Sequence, residues 1–296
     1  MSGSIAHVGP GLPQDLLRAT GRHAGALRFE PDRPTPRADQ WIESKFAPWA
    51  RSIVEAWAAG AYDSLAQVLF SRVDDSAQRL YYYVCELQRR ALVGGPEPLI
   101  LDIAKIPRPS SLVHTEHAIR QLAERLGVSA PSLLSSVQAC NEERTNAAPG
   151  SPKTKRCLLA GTPPPDLRLH AAIEQAGFTP VGPTLIETWT ALGRPVVIDG
   201  SDPFAAVARQ VHLDPNGARA FTDAGAALRE ALAQAEAAAV VLWQTEDDEA
   251  QAWHLPAQRA ALAQAAVPSL VLTRRDWLAC DGAAGEITAF LDGVGQ

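Results

Sequence analysis

Residues 66–90, AQVLFSRVDDSAQRLYYYVCELQRR, constrain the fold more than any other stretch of this sequence. The short apolar run at 68–70 predicts a buried β-strand, and the polar residues 71–76 end it. Apolar side chains then recur at helical spacing between residues 80 and 87, which predicts an amphipathic helix. A strand, a polar turn and a helix in this order indicate a parallel α/β sheet.

The polar turn supplies the first candidate site. Asp74, Asp75 or Ser76 offers a side-chain oxygen that can cap the free N–H groups of the helix. The same order places Asp74 and Asp75 at the carboxyl end of a strand, where open α/β sheets bind their ligands. We therefore take Asp74 and Asp75 as candidate catalytic residues, and Ser71, Ser76 and Arg79 as candidates for binding a cofactor.

Apolar strand segments alternate with amphipathic helices through the rest of the chain, starting from an expected first strand at 26–29. A linker rich in Pro, Gly, Ser and Lys at 147–155 interrupts the alternation, which then restarts. We predict an α/β fold of two Rossmann-like (flavodoxin-like) parallel-sheet domains facing a central cleft. The N-terminal α/β domain covers 1–148 with a short N-terminal helical lead, and the C-terminal α/β domain covers 149–296.

Length and composition restrict the class of protein. The 296 residues suit two domains, and 46% hydrophobic with 20% charged residues is normal for a globular protein. The net charge of −6 does not favour a nucleic-acid partner. No apolar run approaches the roughly 20 residues of a membrane span. The first residues lack the basic and apolar regions of a signal peptide, so we expect a cytoplasmic protein without a membrane partner.

A second acidic group follows the apolar run at 238–243, in the polar segment 244–249. Its candidate catalytic residues are Glu246 and Asp247. If the two domains face each other, these carboxylates and those of the 71–76 turn converge on one cleft. Three interpretations stay open: solvated loops and helix caps, a divalent-cation site, or a carboxylate pair for acid/base chemistry.

Several segments carry a resemblance to a known family. The run DDSAQRL at 74–80 resembles the Cys-Asp-Ser-x-(Arg/Lys)-Leu segment of the 2-hydroxyacyl-CoA dehydratase / benzoyl-CoA reductase subunits. PQDLLRATG at 13–21 resembles a second segment of that family. Asn141 and Arg144 match the Asn-x-x-Arg that ends one of its helices, and we expect them to bond to nearby backbone or to a carboxylate. The chain is thereby similar to a divergent member of the family.

The resemblance implies a [4Fe-4S] cluster, but the ligand cysteines are absent. The three cluster positions correspond to 47–49, Asp74 and 246–248, and none of these residues is a cysteine. Iron–sulfur clusters are held mainly by thiolates, so we predict neither a cofactor nor a metal ligand at the family site.

Three functions are compatible with this pattern. The chain is expected to be a cluster-less homologue of a dehydratase subunit, acting as a partner subunit or as a repurposed protein that binds acyl-CoA or another small anion. One alternative is an active (R)-2-hydroxyacyl-CoA dehydratase-type lyase subunit with relocated or shared [4Fe-4S] ligands, for instance Cys85 or Cys157. The other is a metal-independent acid/base enzyme that uses Asp74 and Asp75.

An oligomer is expected from the aromatic residues of the first domain. Three consecutive tyrosines occupy 81–83 of the predicted helix. They point about 100° apart, so one neighbouring element cannot cover all of them. Because aromatic residues are enriched at interfaces, the partner is a heteromeric subunit or a second copy of the chain.

Overall fold

The computed structural model divides the chain into two compact units. The residues it describes are 3–43, 45–146, 154–200, 202–215 and 223–295. The first unit comprises Met1–Pro149 and Thr188–Phe221, and the second comprises Gly150–Glu187 and Thr222–Gln296. The sequence predicts a single passage between domains near 148 and 149, whereas residues 188–221 return to the first unit in the structure.

The described elements alternate strands and helices through both units. The strands are β1 (Ser4–Val8), β2 (His23–Ala26), β3 (Leu65–Ser71), β4 (Glu97–Leu101), β5 (Arg156–Gly161), β6 (Thr179–Val181), β7 (Ala237–Thr245) and β8 (Ser269–Arg275). The helices are α1 (Gln14–Ala19), α2 (Ala38–Trp41), α3 (Pro48–Ala58), α4 (Asp75–Arg89), α5 (Pro109–Leu126), α6 (Ala130–Asn146), α7 (Arg168–Gln175), α8 (Leu185–Thr190), α9 (Pro203–Leu213), α10 (Ala224–Ala235), α11 (Glu249–Ala265) and α12 (Ala283–Gly295). Within the described part of the chain, no helix has both the length and the apolar character that crossing a bilayer requires.

Each unit contains one four-stranded sheet whose strands all run parallel. The strand order is β2-β1-β3-β4 in the first unit and β6-β5-β7-β8 in the second. Val68 pairs with Ala6 and Pro98 in the first sheet, and Val240 pairs with Leu158 and Ser269 in the second. The predicted α/β class with two Rossmann-like parallel-sheet units is confirmed. The strand order reverses between β1 and β3 and between β5 and β7, and such reversals are the ligand-binding points of open α/β sheets.

The first strand differs from its prediction. The structure places β1 at Ser4–Val8 and β2 at His23–Ala26, whereas the sequence favoured 26–29. Ile5 and Val8 of β1 are fully buried because this strand lies between β2 and β3. Its five residues mix Ser and His with apolar side chains, so the sequence has no regular alternation there that would predict a strand. The strand forms because β2 and β3 pair with it.

The second sheet is covered by helices on both faces. On one face, Trp243 and Cys157 pack in a cluster with Leu169 and Ile173 of α7 and with Ile287 of α12. On the other face the apolar residues of β7 contact α10 and α11, through a cluster that includes Val240, Leu242, Leu228 and Leu262. This alternation along β7 places every second side chain on the α7 and α12 side.

Asn141 and Arg144 fix the return segment to the first unit. Asn141 bonds to both backbone groups of Val196, at 2.9 Å each. Arg144 donates to the Leu192 carbonyl and forms a buried ion pair with Asp15 at 2.7 Å. The expectation of bonds to backbone and to a carboxylate is therefore confirmed, and these residues have a structural role.

Candidate functional site

Asp74 is the N-cap of α4. It precedes the first helical residue, Asp75, and its Oδ1 accepts a hydrogen bond of 2.7 Å from the backbone N–H of Ala77. Both carboxylates lie at the start of a 15-residue helix, where negative charge is favoured by the helix dipole. The carboxylate of Asp74 is thus engaged by its own helix, as the capping interpretation predicts.

The three residues considered for cofactor binding have separate surroundings. Ser71 is fully buried, and its hydroxyl donates to the Pro10 carbonyl at 2.7 Å, which joins the β3 turn to the loop after β1. Arg79 lies over the Phe46 ring, 4.2 Å from its centroid, and pairs with Glu43 at 3.7 Å. Ser76 lies in the first turn of α4 and is half-buried. Cofactor binding by these side chains stays a prediction.

The acidic segment of the second unit has a different geometry. Glu246 is exposed and pairs with Arg274 at 3.1 Å. Asp247 and Asp248 are half-buried, and the hydroxyl of Thr162 donates to Oδ2 of Asp248 at 2.9 Å. Thr162 follows β5 directly, so this bond crosses the point where the strand order reverses. The predicted candidates Asp74 and Asp247 belong to different units, and a shared site for them stays a prediction.

Asp248 occupies the same topological position as Asp74 but uses its carboxylate differently. Each residue precedes the helix that follows the third strand of its sheet. Asp74 caps its helix, whereas the Asp248 side chain makes no cap hydrogen bond and binds Thr162 instead. The Thr162 oxygen also accepts a hydrogen bond of 3.3 Å from the backbone N–H of Thr245. One hydroxyl therefore links the ends of β5 and β7.

Both carboxyl groups of this pair favour protonation more than an exposed aspartate does. Burial raises the pKa of Asp247, a hydrogen bond from the Thr245 hydroxyl opposes this shift, and the negative charges of Asp248 and Asp276 add to the rise. Burial also raises the pKa of Asp248, while the hydrogen bond from Thr162 opposes this shift. Two carboxyls withdrawn from water side by side can hold and transfer a proton.

The same site offers little to an anion. Pro163, Pro164 and Pro165 follow Thr162 in the loop between β5 and α7. Proline has no backbone N–H, so this loop lacks the row of donors that cradles a phosphate. The carboxylates of Asp247 and Asp248 repel negative charge as well. Acyl-CoA or another small anion as ligand stays a prediction without support from this loop.

The sequence prediction missed a buried histidine pair in the first unit. His7 Nε2 lies 3.1 Å from the Trp189 carbonyl, which accepts only, so this nitrogen carries the proton. Nδ1 of His7 then accepts from Nε2 of His23, 2.9 Å away. Gln14 donates to the same Trp189 carbonyl at 2.9 Å. Burial lowers the pKa of His7 to about 3 and that of His23 to about 4, so both rings are neutral at pH 7.

Three further residues of the acidic site in the second unit were not named as candidates from the sequence: Thr162, Asp248 and Asp276. A polar residue directly after the glycine that ends β5 was the available signal for Thr162. No local signal indicated that its partner would be Asp248, 86 residues away.

Three of the four cysteines lie in surroundings that disfavour the thiolate form. Cys85 is in α4, Cys140 in α6 and Cys157 in β5, and burial raises the pKa of each thiol, that of Cys157 to about 12. Cluster ligands are thiolates, which a raised pKa disfavours. Among the residues with described positions, no group of three His, Cys, Asp or Glu side chains is arranged to hold a metal ion.

Comparison with known proteins adds no relative. No protein-family model matches this sequence, and no curated protein matches it. The resemblance to the dehydratase subunits therefore stays a prediction from the segments quoted above.

Proposed function

We propose that this protein is a cluster-less relative of the 2-hydroxyacyl-CoA dehydratase subunits that binds a small molecule at the carboxyl edge of its second sheet. Asp247 and Asp248 exchange a proton with that molecule without a metal ion. The observation that carries the proposal is the hydrogen bond from Thr162 to Asp248 across the strand-order reversal, beside a second carboxyl that is also withdrawn from water.

The neighbours of the two carboxyl groups favour different roles for Asp248 and Asp247 in proton transfer. Thr162 stabilises the charged form of Asp248, which suits a proton acceptor. Asp247 also receives a hydrogen bond, from Thr245, but the negative charges of Asp248 and Asp276 act on it in addition, which suits a proton donor. Asp74 and Asp75, the original acid/base candidates, serve the start of α4 and are not required for this chemistry.

Carboxyl ¹³C NMR tests the proposal directly. The resonances of Asp247 and Asp248 are assigned through Asp247→Asn and Asp248→Asn and followed against pH. We expect both midpoints above the usual value for aspartate, about 3.9, and a lower midpoint for Asp247 once Asp248 is neutralised. Asp223 is the internal control, because backbone N–H groups at the start of α10 hold its pKa low. Ordinary midpoints for both residues would refute the proposal.

Metal analysis tests the absence of a cluster in the same protein. Anaerobically purified chain is expected to contain neither iron nor acid-labile sulfide, since the half-buried thiol of Cys85 and the buried thiols of Cys140 and Cys157 resist ionisation. One cluster per chain would instead favour the lyase with relocated or shared ligands.

A second candidate function is a partner subunit without its own chemistry. It is favoured by the tyrosine run of α4, where Tyr82 is 56% exposed. Trp49 and Trp57, by contrast, are buried in the first unit. Light scattering at high concentration, compared between the natural chain and Tyr82→Ser, tests self-association; a monomer in both would exclude a homodimer through this residue.

A further inference from the structure

Helix α11 has an exposed side that is almost entirely apolar. Its opposite side packs into the second unit through Ala261 and Leu262, which lie in one cluster with Leu228 of α10 and Val240 of β7. The exposed apolar positions recur three and four residues apart, the spacing of a single helix face. They are Ala252, Trp253, Pro256, Ala257, Ala260 and Ala263.

Trp253 lies in the middle of the first half of this face. Among the described residues it is the most exposed of the large apolar side chains, at 86%. A tryptophan carries a large apolar area, which is normally withdrawn from water in a core or at an interface. Exposed tryptophans surrounded by apolar positions are typical of the centre of a protein–protein interface. The face of α11 therefore fits a partner surface that covers Trp253.

The charged residues on the exposed side of α11 indicate which partner this is. They are Glu249 at the beginning of the helix and Arg259 ten positions later, about 15 Å along the helix axis. Within the described part of the chain, neither side chain takes part in an ion pair or a side-chain hydrogen bond. When this helix lies antiparallel against a second copy of itself, Glu249 of each copy faces Arg259 of the other. The two charges of the face are then paired by symmetry.

We propose that α11 is the interface of a two-fold symmetric dimer, and that its occupant is α11 of a second copy of this chain. Residue 254 is midway between Glu249 and Arg259, so the Trp253 side chains of the two copies lie at the centre of the interface. There each indole covers Ala252 and Pro256 of the other copy, and the two ion pairs flank this apolar centre. The dimer is distinct from one through Tyr82 on α4, and it does not depend on the proposed chemistry of Asp247 and Asp248.

Analytical ultracentrifugation of the full chain over a range of concentrations tests the position of the interface. We expect the natural chain to form a dimer, and Trp253→Ser to weaken the association at least about thirtyfold, as the loss of a central anchor does. Because Trp253 is exposed in the monomer, this variant should keep its urea unfolding midpoint at low concentration. Tyr82→Ser is the control and should dimerise like the natural chain. A natural chain that is monomeric throughout, or a dimer that persists in Trp253→Ser, would overturn the inference.

Exchange of the two charges tests the antiparallel pairing. Glu249→Arg and Arg259→Glu each place like charges opposite one another, so each variant alone should be monomeric. An equimolar mixture of the two should form a heterodimer, because both arginines of one chain then face the two glutamates of the other. Glu174→Arg changes an exposed acid on α7 and should dimerise like the natural chain. A mixture that stays monomeric while both variants are folded by circular dichroism would refute this pairing.

Discussion

The Thr162 hydroxyl donates a hydrogen bond of 2.9 Å to Asp248 and thereby joins the loops that follow β5 and β7. These strands are neighbours in the sheet, and their helices leave on opposite faces. A ligand at the strand-order reversal would meet this pair first.

Replacing Thr162 with Val should disturb both the carboxyl and the fold. Without the hydroxyl, the pKa of Asp248 should rise, since the hydrogen bond that lowers it is gone. The free energy of unfolding should fall by about 1 kcal/mol because two half-buried partners lose a hydrogen bond. Carboxyl ¹³C NMR and urea unfolding measure the two effects. Thr145→Val is the matched control, because its hydroxyl bonds to Asn141 on the exposed surface; equal losses in both variants would contradict the assigned role.

Asp74 should act as a helix cap in stability measurements. Asp74→Ala removes the acceptor of the Ala77 N–H and should lower the free energy of unfolding by about 1 kcal/mol. Asp74→Asn retains a capping oxygen and should cost much less. Urea denaturation of the two variants distinguishes them, and equal stability of the Ala variant and the natural protein would show that the cap is dispensable.

The histidine pair should make the first unit sensitive to acid. Its folded pKa values, about 3 for His7 and about 4 for His23, lie below the unfolded value of 6.5. Between the folded values and 6.5, the unfolded state therefore binds more protons than the folded state. The stabilisation that the two neutral rings provide is complete above pH 6.5 and is lost as the pH falls toward 4 and then 3.

Urea unfolding at pH 7.5 and pH 5.0 measures this effect. His7→Gln is expected to be less stable than the natural protein at pH 7.5, because a buried ring is lost, but to lose less stability between the two pH values. The ¹⁵N shifts of both rings should show the neutral Nε2–H tautomer at pH 5.0. A pH dependence unchanged by the substitution would contradict the assignment of neutral rings.

The buried ion pair of the first unit should be costly to break on one side. Arg144→Met leaves the carboxylate of Asp15, 1% exposed in its side chain, without its partner at 2.7 Å. We expect a loss of about 3–5 kcal/mol in the free energy of unfolding. The double variant Asp15→Leu with Arg144→Met should recover part of this loss, because no buried charge remains. Arg18→Met is the control, since its pair with Glu143 is exposed.

The sequence alone predicted the helices and strands whose apolar residues recur at a regular spacing. The apolar run 68–70 predicted the strand β3. The recurrence of apolar residues between 80 and 87 predicted the helix α4, because a helix that buries one face needs apolar side chains every three to four residues. The polar turn after β3 predicted an N-cap at Asp74, Asp75 or Ser76 for the same local reason, and the structure assigns it to Asp74. The alternation of such segments predicted two parallel sheets.

Tertiary structure decided the parts that depend on distant partners. β1 is a strand because β2 and β3 pair with it on both sides. Residues 188–221 belong to the first unit because side chains of α1 and α6 bind their backbone.

The candidate site follows the same division. The sequence by itself placed Asp247 and Asp248 after an apolar strand, since a polar run must end a buried one. Only the tertiary structure brought Thr162 to Asp248 and packed Trp243 against Leu169 and Ile173 of α7. Hydrogen bonds and desolvation act over a few ångströms, and the chain neighbours that set local pattern carry no information about which residues 80 positions away come that close.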